Sequence, residues 1–417
     1  MSFLRVDTRY SASCDRDQSR FELPVTDQSM KITGLKTFVA NVSRTNFVFV
    51  KLYTDEGIDG VGEATLEWKT QTVVAALEEL ERVLVGQDPF RTDPLIEQLH
   101  RDSYWRTGAV FRTALGAIDA ALLDIKGKAL GVPVFELLGG KFRDRVTCYA
   151  NHWFFGAVEP EDYAARAKDA VAMGYTALKW DPFETADMEM SLAARSRTVD
   201  IVAAVRDAVG PGIDLMLDVH GRLNVPTAIA MCRALEPYDL RWIEEPTPPE
   251  SIDALVEVRR NSRVPIAAGE RLFEPQRVIE ALAKGAVDVL QPDVSHAGGL
   301  SEVKRMAHIA HAHLIPLAPH NPVGPVMNAM TLHTAVAIPN MSIFETVSVD
   351  VPWRKELVRE TLVFEQGDLL APTAPGLGVE LIEEACARFP YEPYDVPFYD
   401  GSLNTAGIAT GAKVMGD

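Results

Sequence analysis

The stretch Leu215-Met216-Leu217-Asp218-Val219-His220-Gly221-Arg222 runs from an apolar segment into a carboxylate, a spacer, a histidine and a glycine. A buried parallel strand reads this way where it stops and polar chemistry begins. Two later stretches share the form: Arg241-Trp242-Ile243-Glu244-Glu245-Pro246 and Pro265-Ile266-Ala267-Ala268-Gly269-Glu270-Arg271. Successive acids in the set Asp218, Glu244 and Glu270 lie 26 residues apart, which suits one strand–helix–strand step of a barrel. Three acids then stand at one level on three successive strands. In a (β/α)₈ barrel that level is the C-terminal mouth, where active sites sit. A lone acid at a strand end is more often a solvated end or a helix cap. Three that converge repel one another unless a cation joins them, and a hard dication such as Mg²⁺ takes oxygen ligands.

Outward from this stretch, strands and helices alternate. Candidate strands are 146–151, 176–181, 214–219, 241–245, 265–269, 288–293, 314–319 and 342–346, with helices such as Pro160 to Met173, Val199 to Val209 and Ile252 to Arg260 between them. Residues 141–350 are therefore expected to close into a parallel α/β barrel. Residues 30–140 read as an α+β domain. Strand-like text at 31–40, 46–53 and 58–64 is joined by the turn Thr54-Asp55-Glu56-Gly57, and helical periodicity follows over 70–101 and 110–130. Leu115, Ile118, Leu122 and Ile125 share one helical face. Residues 1–29 are polar and aperiodic, an arm expected to be disordered or to pack on a neighbouring subunit. Residues 351–417, where the alternation stops, are expected to return to the N-terminal domain. The Gly376-Leu377-Gly378 element follows no Rossmann-type strand and is not read as a nucleotide loop.

The chain has 417 residues, 47% hydrophobic and 24% charged, with a net charge of −18. That charge argues against nucleic acid and anionic membrane as partners, and an anionic substrate needs local cations to draw it in. No apolar run approaches the ~20 residues of a membrane helix. The start, Met1 to Asp7, lacks the apolar core of a signal peptide. Cys14, Cys148, Cys232 and Cys386 show no metal-ligand spacing, as expected in a reduced, cytoplasmic setting. Cys148 and Cys232 read as core residues.

Further motifs complete a pattern: Leu178-Lys179-Trp180-Asp181-Pro182, Gln291-Pro292-Asp293 with Gly298-Gly299, Pro319-His320, and Pro375-Gly376-Leu377-Gly378. With the three strand ends above, they make residues 30 to 385 resemble the enolase superfamily. The branch is that of mandelate racemase and the acid-sugar dehydratases, nearest the gluconate/galactonate dehydratase type. The resemblance implies a modified (β/α)₇β TIM-like barrel, an α+β capping domain completed by the C-terminal tail, and one essential Mg²⁺ per subunit. It implies Asp218, Glu244 and Glu270 as metal ligands and Asp293–His320 as a dyad with His320 the base. It also implies Glu345 as the group that hydrogen-bonds the substrate carboxylate, and His220 as the acid that expels a hydroxyl. Members of this branch are commonly homo-oligomers. Where mandelate racemase-like members carry Lys-x-Lys, this chain has Lys179-Trp180-Asp181, which weakens a two-base racemase mechanism.

The residues bear their own reading of these roles. An ordinary histidine titrates near neutral pH, and Asp293 can orient the His320 ring and raise its basicity. His220 is expected on the same strand face as Asp218, since residues two apart share a face. Lys179 is either a second base or a fixed cation on a substrate oxygen. Asp181, Arg222, Trp68 and His152 are expected substrate contacts, each with a structural alternative. His296 is read as a loop residue, with a place near the mouth as the alternative, and His308, His311 and His313 as lying away from the mouth. Glu63–Lys69 with Trp68, and Tyr104-Trp105-Arg106, are candidate lids. The expected function is Mg²⁺-dependent dehydration of a sugar acid, an aldonate such as gluconate or galactonate. It proceeds through C2 proton loss to an enediolate and loss of the C3 hydroxyl, giving a 2-keto-3-deoxy acid. The rivals are a racemase, epimerase or cycloisomerase on the same scaffold, and a non-catalytic binding barrel.

Overall fold

The computed structural model describes residues 29–360 and 362–394, and the backbone of 412–413. The expected arm, apart from Ser29, lies outside the described residues. β1 (Ile32–Asn41), β2 (Asn46–Thr54) and β3 (Asp59–Glu63) form an antiparallel meander in that order. Helices α1 (Thr70–Leu84), α2 (Thr92–Asp102) and α3 (Ala109–Leu130) cover it. Val48, Val50 and Leu52 of β2 join the core of this domain, while Phe47 and Phe49 join the core shared with the barrel. That two-sided burial explains why β2 shows no alternation of apolar and polar residues. β3 touches α3 backbone to backbone. A Cβ at Gly60 or Gly62 would stand 2.0 Å from the carbonyl oxygen of Ala121 or Ala117.

After the short α4 (Val134–Leu137) the barrel begins. Its strands are β4 (Arg145–Asn151), β5 (Ala177–Trp180), β6 (Asp214–Asp218), β7 (Trp242–Glu244), β8 (Ile266–Ala268), β9 (Val289–Leu290) and β10 (Phe344–Val347). β4 to β9 pair in sequence order and in parallel, and β10 pairs in parallel with β4. The expected strand 314–319 contracts to single bridges from Leu317 to Leu290 and to Met341. Leu317 still fills the seventh place in the ring. Seven helices intervene: α5 (Pro160–Ala172), α6 (Leu192–Val209), α7 (Val225–Leu235), α8 (Ile252–Asn261), α9 (Pro275–Lys284), α10 (Leu300–Ala312) and α11 (Pro325–Val336). The architecture is (β/α)₇β. α6 begins earlier than its apolar periodicity suggests, because the Ser191 hydroxyl accepts from Ala194 N at 3.1 Å and caps it.

Eight inward side chains, one from each place in the ring, plug the barrel: Tyr149, Ala177, Met216, Trp242, Ala267, Val289, Ala318 and Ile343. Strand side chains alternate, so the residue two further along each strand points to the mouth. In ring order those residues are Asn151, Lys179, Asp218, Glu244, Gly269, Gln291, His320 and Glu345.

The tail returns past both units. Asp368–Leu370 pairs antiparallel with β4, and Val358–Glu360 pairs with Val379–Leu381. Leu377 N donates to the buried Asp124 of α3 at 2.7 Å, and Trp353 Nε1 donates to the Asn41 carbonyl at 2.9 Å. The capping domain also reaches into the barrel through Glu63. Its fully buried carboxylate accepts from Gly324 N at 2.8 Å and Met327 N at 2.9 Å, capping α11 from outside that helix. Cys148 and Cys232 are buried and unpaired. His333 of α11 is also buried, and its Nδ1 accepts from Phe135 N at 3.1 Å.

Glu63→Ala should cost about 2–4 kcal/mol of stability by orphaning two buried N–H groups, read as a lower urea midpoint. His333 supplies a pH dependence. Burial lowers its pKa from 6.5 to about 4, so the folded protein keeps it neutral while the unfolded chain protonates it. Its stabilising contribution is therefore present above pH 6.5 and lost as pH falls towards 4. The loss is about 3 kcal/mol. His333→Gln should flatten that limb in urea titrations at a series of pH values.

Candidate active site

Asp218 and Glu244 are direct register partners on β6 and β7. Glu270 joins them by one extra residue, Gly269 (φ +156°), whose Cβ would stand 2.6 Å from the Gln291 backbone. Ligand oxygens of the three acids lie within 4.8 Å of one another. Glu244 Oε1 accepts from Lys179 Nζ at 2.9 Å, and its Oε2 accepts from Gln291 Nε2 at 2.7 Å and Trp242 Nε1 at 3.2 Å. Burial and the Asp218 charge push the Glu244 carboxyl up to about 8, against the pull of Lys179. Glu270 Oε2 is buried and accepts no hydrogen bond. A cluster of hard oxygens that resists full ionisation, with one oxygen unsatisfied, fits a divalent cation.

Lys179 sits on the other flank. Its Nζ lies 2.9 Å from Glu244, 3.0 Å from Glu345 and 3.3 Å from Asp218. Burial favours the neutral amine, yet the carboxylates of Glu244 and Glu345 outweigh it and hold Lys179 well above its usual pKa. The geometry is that of a fixed cation.

His320 and Asp293 meet as expected, Nδ1 to Oδ2 at 2.8 Å. His320 Nε2 lies 3.3 Å from Glu270 Oε2, and the ring lines the cavity. Burial opposes protonation of His320, but Glu270 and Asp293 raise its pKa well above the ordinary histidine value. The segment after His320 is anchored from three sides. Asn321 N donates to Glu345 Oε2 at 2.7 Å, Arg44 Nη2 to the Pro322 carbonyl at 2.6 Å, and Arg354 Nη1 to the Val323 carbonyl at 2.7 Å.

His220 reaches the mouth by a different route from the one expected. The strand stops at Asp218, so strand periodicity does not carry on to residue 220. His220 instead takes a left-handed backbone (φ +53°), as does Gly221 (φ +69°). Its N–H donates to Asp218 Oδ1 at 2.9 Å, and its Nδ1 lies 2.8 Å from Asp181 Oδ2. Burial opposes protonation, but Asp218 and Asp181 raise its pKa. His220 follows the third strand and His320 holds the seventh place, so the two histidines face each other across the ring.

A cavity of about 440 Å³ opens between these groups and the capping domain. Trp68, His152 and Asp181 line it, with Phe155 and Phe273 adding apolar wall. Arg222 is displaced from its expected place. It is 1% exposed, off the cavity wall, and pairs with Asp181 at 2.6 Å, so it braces that acid from behind. Glu345 is likewise off the wall. Its Oε1 accepts from Asn151 Nδ2 at 2.8 Å and meets Lys179, and its Oε2 takes Asn321 N. Its carboxyl stays below the usual range because Lys179 and His320 overcome burial. An ionised Glu345 accepts but does not donate, so it meets the cavity through Lys179 and Asn151 rather than through a direct bond to a carboxylate. Of the two candidate lids, Leu66–Lys69 lines the cavity. Tyr104 and Trp105 are 83% and 88% exposed, and Ala109 and Val110 take the expected place of that second lid. His308, His311 and His313 are exposed, away from the cavity.

Asn151, Gln291, Arg44, Asn321 and the Arg271–Glu245 pair escape sequence reading. Arg271 lines the cavity, and its Nε donates to Glu245 at 2.7 Å. Asn151 and Gln291 carry a usable signal, since each stands two residues beyond a floor residue on its own strand. The others depend on neighbours far away in the chain.

Residues 162–385 match the family described as enolase C-terminal domain-like. Residues 20–139 match the N-terminal domain of the mandelate racemase / muconate lactonizing enzyme family. The chain belongs to the enolase superfamily. Within this superfamily it is 38% identical over 366 residues to the D-galactonate dehydratase of Pectobacterium atrosepticum, covering 85% of this chain and 93% of that protein. It is 34% identical over 352 residues to the D-gluconate dehydratase of Thermoproteus tenax, covering 84% of this chain and 71% of the relative. Among solved structures, a mandelate racemase/muconate lactonizing enzyme-like protein from Rubrobacter xylanophilus superposes with a TM-score of 0.82 at 35% identity. That match covers 89% of this chain and 100% of the other. Among the described residues, no helix is long and apolar enough to cross a membrane.

A divalent cation at 100 times its Kd should stabilise the chelator-dialysed protein by about 2.7 kcal/mol. This is measured as a rise in Tm, and Glu270→Gln should remove most of it.

Proposed function

We propose that this enolase-superfamily protein is a Mg²⁺-dependent dehydratase of a sugar acid, most simply an aldonate. The observation that carries the reading is the placement of two histidines across the ring from each other, with the carboxylate cluster between them. Mg²⁺ held by Asp218, Glu244 and Glu270 would supply positive charge beside the substrate carboxylate, where deprotonation creates a second negative charge. His320 Nε2, oriented through its Nδ1 bond to Asp293, removes the C2 proton. Lys179 offers a fixed cation to a substrate oxygen. His220, held by Asp181 and Asp218, delivers a proton to the departing C3 hydroxyl from the opposite side. The C2–H and C3–O bonds break, water leaves, and the enol tautomerises to a 2-keto-3-deoxy acid. Leu66–Lys69 and the aromatic wall exclude bulk water from this exchange. The names of the galactonate and gluconate dehydratase relatives agree with this chemistry. Lys179 bound among three carboxylates is poorly placed to act as a free base, which counts against the racemase alternative.

The test is a semicarbazide assay for 2-keto acid with Mg²⁺ and a panel of aldonates and aldarates of four to six carbons. Keto acid is expected from one or two of them, and His320→Asn should lower the rate by roughly 10²–10⁴-fold. His220→Asn should lose keto-acid formation while still exchanging the C2 proton in D₂O. Silence across the panel, or C2 exchange with no keto acid from the unaltered protein, would overturn the dehydratase reading.

A further inference from the structure

His296 has no part in the chemistry just described, yet it joins the two halves of the site. Its backbone N–H donates to Asp293 Oδ1 at 2.8 Å. Its ring Nδ1 lies 3.5 Å from Asp293 Oδ2, the oxygen that also meets His320 Nδ1. The far edge of the ring faces the capping domain, with Nε2 at 3.0 Å from the Thr65 carbonyl. A carbonyl only accepts, so Nε2 carries the hydrogen of that bond. His296 is 6% exposed and its ring lies 6.2 Å from that of His320, centroid to centroid.

Thr65 stands where β3 gives way to Leu66–Lys69, the segment that lines the cavity. Its hydroxyl donates to Glu63 at 2.7 Å and accepts from Val48 N at 3.1 Å, so in the seated arrangement Thr65 presents its carbonyl to the His296 ring. One residue before His296, Ser295 Oγ donates to the Glu63 carbonyl at 2.8 Å. The loop after β9 is thus stitched to the root of the lid at two successive residues. The side chain of the second also rests against Asp293.

We propose that His296 is a positioning residue, a latch that couples seating of the Leu66–Lys69 lid to the orientation of the Asp293–His320 dyad. When the lid root moves, the Thr65 carbonyl leaves Nε2, the ring is freed to turn, and Asp293 loses one of its fixed neighbours. The base is then aligned only while the lid is down, which ties proton abstraction to a closed, dry cavity. The kinetic form of this inference rests on the dehydratase reading. The structural form, that His296 holds the lid root, does not.

The experiment compares His296→Ala, His296→Gln and Trp68→Ala, with the double variant His296→Ala/Trp68→Ala, in the full chain with Mg²⁺. His296→Ala should lower kcat about tenfold with KM within about twofold, because the base is misaligned rather than the substrate lost. The Gln amide reaches the Thr65 carbonyl, so His296→Gln should recover to within about threefold of the unaltered protein. Trp68→Ala should lower kcat in the unaltered background but not in the His296→Ala background, since lid and dyad are already uncoupled there. An unchanged kcat in His296→Ala, or losses that multiply in the double variant, overturns the latch. Amide exchange of 65–69 gives a readout that needs no turnover. Protection should fall in His296→Ala and return in His296→Gln, and unchanged exchange overturns the latch even if no sugar acid is a substrate.

Discussion

The site depends on a plugged barrel. One side chain from each of eight places fills the interior, and the Tyr149 and Trp242 rings meet edge to face at 5.9 Å in that layer. Side chains alternate along a strand, so fixing this layer fixes the one above it. Asn151, Lys179, Asp218, Glu244, Gln291, His320 and Glu345 all stand two residues beyond a plug residue. The chemistry is placed by packing beneath it. Glycine at 269 is the one interruption, and the close approach of the Gln291 backbone there lets the chain present Glu270 instead.

Burying so many charges in one layer is costly unless each has a partner. The structure arranges them locally. Asp181 is met by Arg222 and His220, Glu245 by Arg271, Asp293 by His320, and Lys179 is shared among three acids. One buried carboxylate oxygen of Glu270 remains without a hydrogen bond, on an acid that converges with Asp218 and Glu244. A protein with a net charge of −18 has thereby built a mouth in which cations stand close to every acid but leave one position for an external positive charge.

Much of this was legible because it is periodic. The 26-residue spacing of Asp218, Glu244 and Glu270 points to a barrel and its mouth, and the resemblance to the enolase superfamily implies the Asp293–His320 pair. What stayed hidden was not periodic. His220 sits in the cavity through a left-handed turn, which local sequence does not report unless the residue is glycine. The strand expected at 314–319 shrinks to one bridging residue, Leu317, which pairs with Leu290 and Met341. Arg222 is expected at the substrate and Glu345 is implied by the resemblance as a partner of its carboxylate, yet in the structure each is paired with a neighbouring side chain. Arg44 and Glu63 lie in the other domain, hundreds of residues from the loop they hold, and no local pattern connects them to it.

Glu63 carries a consequence for how such a protein can change. The last residue of a capping-domain strand caps the first turn of a barrel helix, and the segment it braces follows directly on His320. The two domains therefore share a piece of secondary structure across their boundary. A chimaera joined near residue 140 from two relatives would inherit a helix start from one parent and its acceptor from the other. Exchange of capping domains is restricted to parents that place the same carboxylate at the same point in space.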